Sequence, residues 1–181
     1  MDLSPNEHWQ RGDVSLFLLE EAHVGEAYVR WLNDPRVHRH LESRFMTHTL
    51  DSTRAFVSSA RASPHTLMLG IHSPAMDGQH VGNIKLGPID RRHGLGEVGL
   101  LVGEPAAWGC GIGRTAIDLL CGIARTQLGL RKLTAGCYAS NSGSQKAFVA
   151  AGFTIEGRRP RHFLLDGQPE DLVLLARWLE R

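Results

Sequence analysis

The sequence lacks several things that would narrow its role. No run of about 18 consecutive apolar residues occurs in its 181 positions, so no membrane span is expected. The opening MDLSPNEHWQRGD is polar and lacks the apolar stretch of a signal peptide. Cysteine is scarce: Cys110, Cys121 and Cys137 form no spaced framework, and a reduced, cytoplasmic setting is expected. CxxC and HExxH are missing. His38 and His40 are the closest pair among ten histidines, and two positions apart on a helix means different faces. No metal is therefore expected. An excess of one charge is also missing: 20 Lys and Arg stand against 19 Asp and Glu, for a net +1. That balance excludes a general grip on nucleic acid. Without repeats or low-complexity linkers, residues 1–181 are expected to form a single domain.

What is present reads as strand, helices, three strands, helix, strand, helix, two strands. VSLFLLE (14–20) is a first strand. In 21–34, Val24, Ala27, Tyr28, Trp31 and Leu32 make one helical stripe, closed by Asp34-Pro35. A short helix over 35–45 follows, with Val37 and Leu41 four apart. Another is expected over 50–63, capped by Asp51 or Ser52. Strands are expected at 66–72, between Pro64 and Pro74, at 80–89 and at 97–103. The last, EVGLLVG, is apolar enough for burial on both faces. Ile112, Ala116, Ile117, Leu120, Ile123, Ala124 and Leu128 share one face of the next helix, which Gly129 should end. A strand over 131–138, a helix over 141–152 and a hairpin turning at Asp166-Gly167 complete a mixed α/β chain with an antiparallel centre.

Between strand 97–103 and its helix lies WGCGIGRTA, with Gly109, Gly111 and Gly113. A glycine-rich loop opening a helix presents unpaired N–H groups and the positive end of the dipole, which suits phosphate or pyrophosphate. Neither GxxxxGK[ST] nor GxGxxG is present, so the spacing alone also allows a purely structural turn.

EVGLLVGEPAAWGCGIGRTAIDLL resembles the central motif of the GNAT N-acetyltransferases, Q/R-x-x-G-x-G/A between a strand and a helix. Gly111 and Gly113 take the small positions, and Trp108 stands where Q/R is usual. The W-G-x-G variant is familiar in the branch of ribosomal-protein and amino-sugar acetyltransferases. NSGSQKAFVAAGF (141–153) resembles the family's N-x-x-S/A…G-F segment, and WLNDPRVHRHLESRF (31–45) resembles the N-terminal part of that branch. The resemblance implies an α+β GNAT fold: a mostly antiparallel sheet of about seven strands, splayed at an acetyl-CoA site and flanked by helices. It implies acetyl-CoA as co-substrate. N–H groups around Gly109, Cys110, Gly111, Ile112, Gly113 and Arg114 would hold the pyrophosphate. Leu101 and Val102 would pair with the pantetheine arm, and Asn141 and Ser144 would reach it from the other side.

The resemblance also implies direct attack by a primary amine on the thioester. Glu97 matches a glutamate that often serves as base through a water; the alternative is a strand-edge carboxylate facing solvent. Many members place a tyrosine seven residues after the asparagine, but Phe148 stands there and cannot donate a proton. Ser144 is the substitute acid, or else an ordinary first-turn residue; Tyr138 and water are weaker choices. Cys110 lies where pyrophosphate should sit and is not expected to be a nucleophile. The basic cluster RRPRH (158–162) reads as a solvated strand edge guarded by Pro160, or as a contact for an anionic acceptor or for coenzyme A phosphate.

The acceptor walls would come from 33–45 and 158–170, with Glu42, Arg44, Phe45, Arg161 and His162 as candidate contacts. Three functions remain open: an N-acetyltransferase for an amino sugar or other small-molecule amine, an N-terminal acetyltransferase of a protein such as a ribosomal one, or a coenzyme-A-binding module weak in catalysis. No nucleic-acid or membrane partner is expected. A homodimer is common in the branch.

Overall fold

A computed structural model describes residues 9–73 and 79–179. Eight strands form one sheet in the order β1-β2-β3-β4-β5-β6-β8-β7. They are β1 (Trp9–Arg11), β2 (Val14–Leu18), β3 (Leu67–Ser73), β4 (Gln79–Asp90), β5 (Leu95–Val102), β6 (Lys132–Tyr138), β7 (Thr154–Leu165) and β8 (Gln168–Trp178). Five helices accompany them: α1 (Glu26–Asn33), α2 (Pro35–His38), α3 (Leu50–Ala62), α4 (Ile112–Thr126) and α5 (Ser142–Ala150). All neighbouring strands run antiparallel except β5 and β6, which are parallel.

Eight strands replace the seven expected from the resemblance. The additional one is β1, three mostly exposed residues that fold back on β2 around Gly12. Its polar WQR carries no alternation to reveal it. The segment 35–45 is not one helix: α2 ends at His38, and a separate 3-10 turn spans Glu42–Phe45. Thr49, not Asp51 or Ser52, caps α3; its hydroxyl accepts from the Ser52 N–H while the Ser52 hydroxyl accepts from the Thr49 N–H. In α1, Ala27 is exposed, while Tyr28, Trp31 and Leu32 are buried. Pro74, expected to bound β3, lies outside the described residues.

The core has two parts on opposite sides of the sheet. One is built on α4, whose Ile112, Ala116, Ile117, Leu120, Ile123 and Ala124 are all buried against β4, β6 and β8 residues. Each large side chain among them contributes about 1.5–3 kcal/mol. The other gathers Phe17, Leu19, Tyr28, Trp31, Val57 and Met68 under α1 and α3. Gly129 at φ +64 and Gly152 at φ +80 follow α4 and α5 in the left-handed conformation that ends helices.

Candidate active site

Between β5 and β6 the sheet comes apart. Their ladder has only three pairs, Leu95↔Lys132, Gly96↔Leu133 and Glu97↔Thr134. Past Glu97, β5 pairs only with β4, and past Thr134, β6 pairs only with β8. This leaves a wedge with a free backbone edge on each side. The apolar run of β5 is accordingly not buried on both faces: Glu97 and Gly99 are exposed, and Leu100, Leu101 and Val102 are only partly covered.

Because side chains alternate along a strand, Glu97, Gly99 and Leu101 share one face of β5, as Thr134, Gly136 and Tyr138 do on β6. Gly99 and Gly136 thus follow the last pair on the same side of the sheet. With no side chain at either position, the opening between the strands is not filled. A cleft of about 320 Å³ lies here, lined among others by His40, Glu42, Glu97, Tyr138, Arg159 and Phe163.

The polar groups of the cleft are held in place. Tyr138 Oη donates to Glu42 Oε1 at 2.5 Å, and its ring stacks on Phe163 with centroids 4.2 Å apart. Burial, reinforced by the Glu42 hydrogen bond, raises the Tyr138 pKa, so it stays protonated. Arg44 donates to the carbonyls of Leu41 and Leu164, both at 2.9 Å, joining the first wall to the final hairpin. Its guanidinium lies 4.1 Å from the Phe45 ring centroid and 5.2 Å from that of Tyr138. His40 contacts Ser140 Oγ through Nε2 at 3.1 Å. Burial lowers its pKa, with Arg39 adding to the effect, so the ring is neutral at neutral pH. Glu156 is neutralised by Lys132 at 2.6 Å. Glu97 has no ion-pair partner among the described residues, and so is a carboxylate with no fixed counter-charge at the apex of the wedge.

At the wide end, β5 leads through 103–108 into the glycine loop. Gly109 and Gly111 adopt φ +76 and φ +78, and a Cβ at either would meet nothing within 4 Å. Gly111 is the N-cap of α4, and no side chain caps the helix, so its first-turn N–H groups face outward. Gly113 differs, since a Cβ there would lie 3.2 Å from Leu100 Cδ2 and 3.7 Å from Ala147 Cβ. It is a packing position that lets α4 sit close to β5 and α5, rather than an open approach. Trp108 donates its indole N–H to the Val102 carbonyl at 2.7 Å, tying the loop to the strand end. One backbone group of the Leu101–Val102 edge is thereby used within the chain.

A family model described as an acetyltransferase (GNAT) domain matches residues 14–154, most of the chain. The chain belongs to the GNAT acetyltransferase family. No curated protein matches this GNAT domain significantly by sequence. Among solved structures, the ribosomal-protein-S5-alanine acetyltransferase of Vibrio fischeri superposes with TM-score 0.82 at 17% identity, over 97% of this chain and 98% of that one. The spermidine N-acetyltransferase of Vibrio cholerae, in complex with CoA and spermine, gives 0.81 at 17% identity over 93% and 97%. RimJ of Mycobacterium smegmatis, in complex with CoA-disulfide, gives 0.78 at 20% identity over 91% and 81%. At these identities the likeness establishes the fold.

Within the GNAT domain, the candidate residues fall into three places. Glu97 and Glu42 meet in the cleft, with Arg44 behind Tyr138. Asn141 Oδ1 accepts from the Ser144 N–H at 3.1 Å and so caps α5. The Ser144 side chain hydrogen-bonds the Cys137 thiol, which opposes the rise to about 11 that burial imposes on that group. Phe148 is buried edge-on against Phe153, so its position belongs to the core. Phe45, Arg161 and His162 are exposed and do not line the cleft. Arg161 sits at φ 52 in a bulge of β7, its N–H donating to Asp171 Oδ1. The RRPRH segment lies on the edge strand, and its Arg159 reaches the cleft. His40 and Phe163 were not singled out as site residues by the sequence reading, and Arg159 entered it only within the RRPRH cluster. The stacking of Phe163 on Tyr138 joins residues 25 apart in sequence, on β7 and β6 with β8 between them, a contact no local pattern announces.

Proposed function

We propose that this domain transfers an acetyl group from acetyl-CoA to a primary amine, with the amine acceptor an amino sugar or another small molecule. The observation that carries the reading is the wedge: β5 leaves β6 at Glu97 and ends at an uncapped helix N-terminus. The residues present suit the acyl donor. N–H groups of Gly109, Cys110, Gly111, Ile112, Gly113 and Arg114 would meet the pyrophosphate, where two left-handed glycines leave open space. The free edge of Leu101 and Val102 would pair with the amides of the pantetheine arm, with Asn141 and Ser144 at the far side.

The acceptor ammonium loses its proton through a water to Glu97. The amine nitrogen then bonds the thioester carbonyl carbon and the carbon–sulfur bond breaks. The departing thiolate takes its proton through Ser144, whose hydroxyl is restored by the proton that the newly acylated nitrogen sheds, because the Tyr138 proton is committed to Glu42 and Phe148 has none to give. Glu42 borders the acceptor's approach, with Arg44 behind Tyr138 and with Tyr138 and Phe163 as its aromatic wall; Phe45, Arg161 and His162, outside the cleft lining, are not assigned to it.

A protein N-terminus is the second reading, because two of the similar structures carry ribosomal-protein or RimJ names. Thiol release from acetyl-CoA, measured with a panel of amino sugars, polyamines and peptides, decides between them. Turnover of small amines with peptides inert is the expected result. Turnover of peptides alone would contradict the small-molecule assignment, and release with no amine would contradict transfer altogether.

A further inference from the structure

A second cleft, of about 300 Å³, lies where the turn between β4 and β5 meets the end of α4 and the start of β6. Arg91, Arg92, His93, Arg125 and Arg131 line it, and among the described residues no carboxylate does. Several arginines elsewhere are paired: Arg36 with Asp34, Arg39 with Asp166, Arg61 with Glu20, and Arg177 with Asp118. Not one of Arg91, Arg92, Arg125 and Arg131 has an ion-pair partner among the described residues. In a domain of net charge +1, that is a local concentration of unneutralised guanidinium.

The cluster is also held in shape. Asp90 Oδ1 accepts from the N–H groups of Arg92 and His93 at 2.9 and 3.0 Å, which fixes the turn. This commits the Asp90 carboxylate to the backbone. Arg131 donates through Nε to the His93 carbonyl at 2.7 Å, and its guanidinium lies 5.1 Å from the Trp178 ring centroid. The Gly94 carbonyl accepts from the N–H groups of Arg131 and Lys132, binding the turn to β6. Arg125 stands in the last turn of α4, where a cation complements the helix dipole. That accounts for one of the four arginines.

We propose that this cleft is a binding site for a small phosphate-class anion, separate from the acyl-donor site. Guanidinium groups present paired N–H donors that match phosphate oxygens, and several converging on one cleft of this volume suit a compact, multiply charged ligand. A nucleic-acid track would need an extended basic stripe, and the balanced overall charge does not supply one. The cleft lies at the opposite end of α4 from the Gly111 cap. Fifteen helical residues put the two about 22 Å apart, so one pyrophosphate cannot serve both. An anion here would bridge β4, α4 and β6 at the closed end of the wedge.

The test is a titration of the full chain by calorimetry at constant ionic strength, with inorganic pyrophosphate, a sugar phosphate, ADP and a short single-stranded oligonucleotide as separate arms. CoA is held saturating throughout. The comparison is Arg92→Gln/Arg125→Gln, two exposed positions away from the wedge, which leave Arg131 and its packing intact. Saturable binding of one small phosphate to the wild type is expected, weakened about tenfold or more in the double variant. The Kd for CoA should be the same in both proteins. Three results would overturn the proposal: no saturable binding to the wild type, equal binding to the double variant, or an oligonucleotide that binds more tightly than every small phosphate.

Discussion

At the scale of single residues, the chain uses histidine in two settings with the same sign. His80 is enclosed by Phe17, Tyr28 and Trp31, with ring centroids 5.4, 6.0 and 5.2 Å away, and its Nε2 meets Asn83 Oδ1 at 2.8 Å. Burial lowers its pKa, with His72 and His23 adding small repulsions and the Asn83 bond opposing. A histidine whose folded pKa is depressed binds fewer protons folded than unfolded. Its contribution is complete above the unfolded value of about 6.5 and is lost as pH falls from there through the folded value. The urea midpoint is therefore expected to drop between pH 7.5 and 5.5. His40 titrates in the same direction, so His80→Gln should make the drop shallower without abolishing it. An identical slope in the variant would mean that His80 is not the group responsible.

At the scale of elements, glycines in one short region do two different jobs. Gly111 turns the chain left-handed into α4 with free space around it, so Gly111→Ala should cost only about 1–2 kcal/mol of backbone strain. Gly103 has no such space, because a Cβ there would run into the Trp31 ring. Gly103→Ala must displace a buried indole and should cost about 1–3 kcal/mol or more in the same denaturation measurement. Gly111→Ala is expected to weaken CoA binding all the same, since it disturbs the loop presenting the N–H groups. The loop, its helix and the α4 stripe were legible in the sequence because glycine spacing and a 3.6-residue period are local signals. Glu97 and Glu42 were named through resemblance, and both line the cleft. Gly99 and Gly136 were not read as makers of the opening, since that role depends on two strands that share a face only once paired. The cap at Thr49 was missed by choosing the residues just inside the helix. The resemblance suggested a proton donor near the asparagine, but at the usual donor's position Phe148 is packed in the core.

At the scale of the molecule, the wedge leaves β5 and β6 joined by three residue pairs while each is secured on its other side. A ligand that fills the gap replaces missing sheet contacts in the folded state alone. Saturation with CoA at about 100 times its Kd should add about 2.7 kcal/mol, which for a domain of this size raises Tm by about 5–10 °C. An unchanged Tm under those conditions would count against ligand binding in the wedge. No helix among the described residues is long and apolar enough to cross a membrane. The chemistry assigned to the wedge rests on Glu97 at its apex. The most direct measurement compares thiol release from acetyl-CoA by the wild type and by Glu97→Gln at neutral pH, with one acceptor and with the Kd for CoA determined for both. The account expects kcat/KM to fall by about 10²–10⁴-fold while CoA binds equally well. Equal turnover by the two proteins would contradict it.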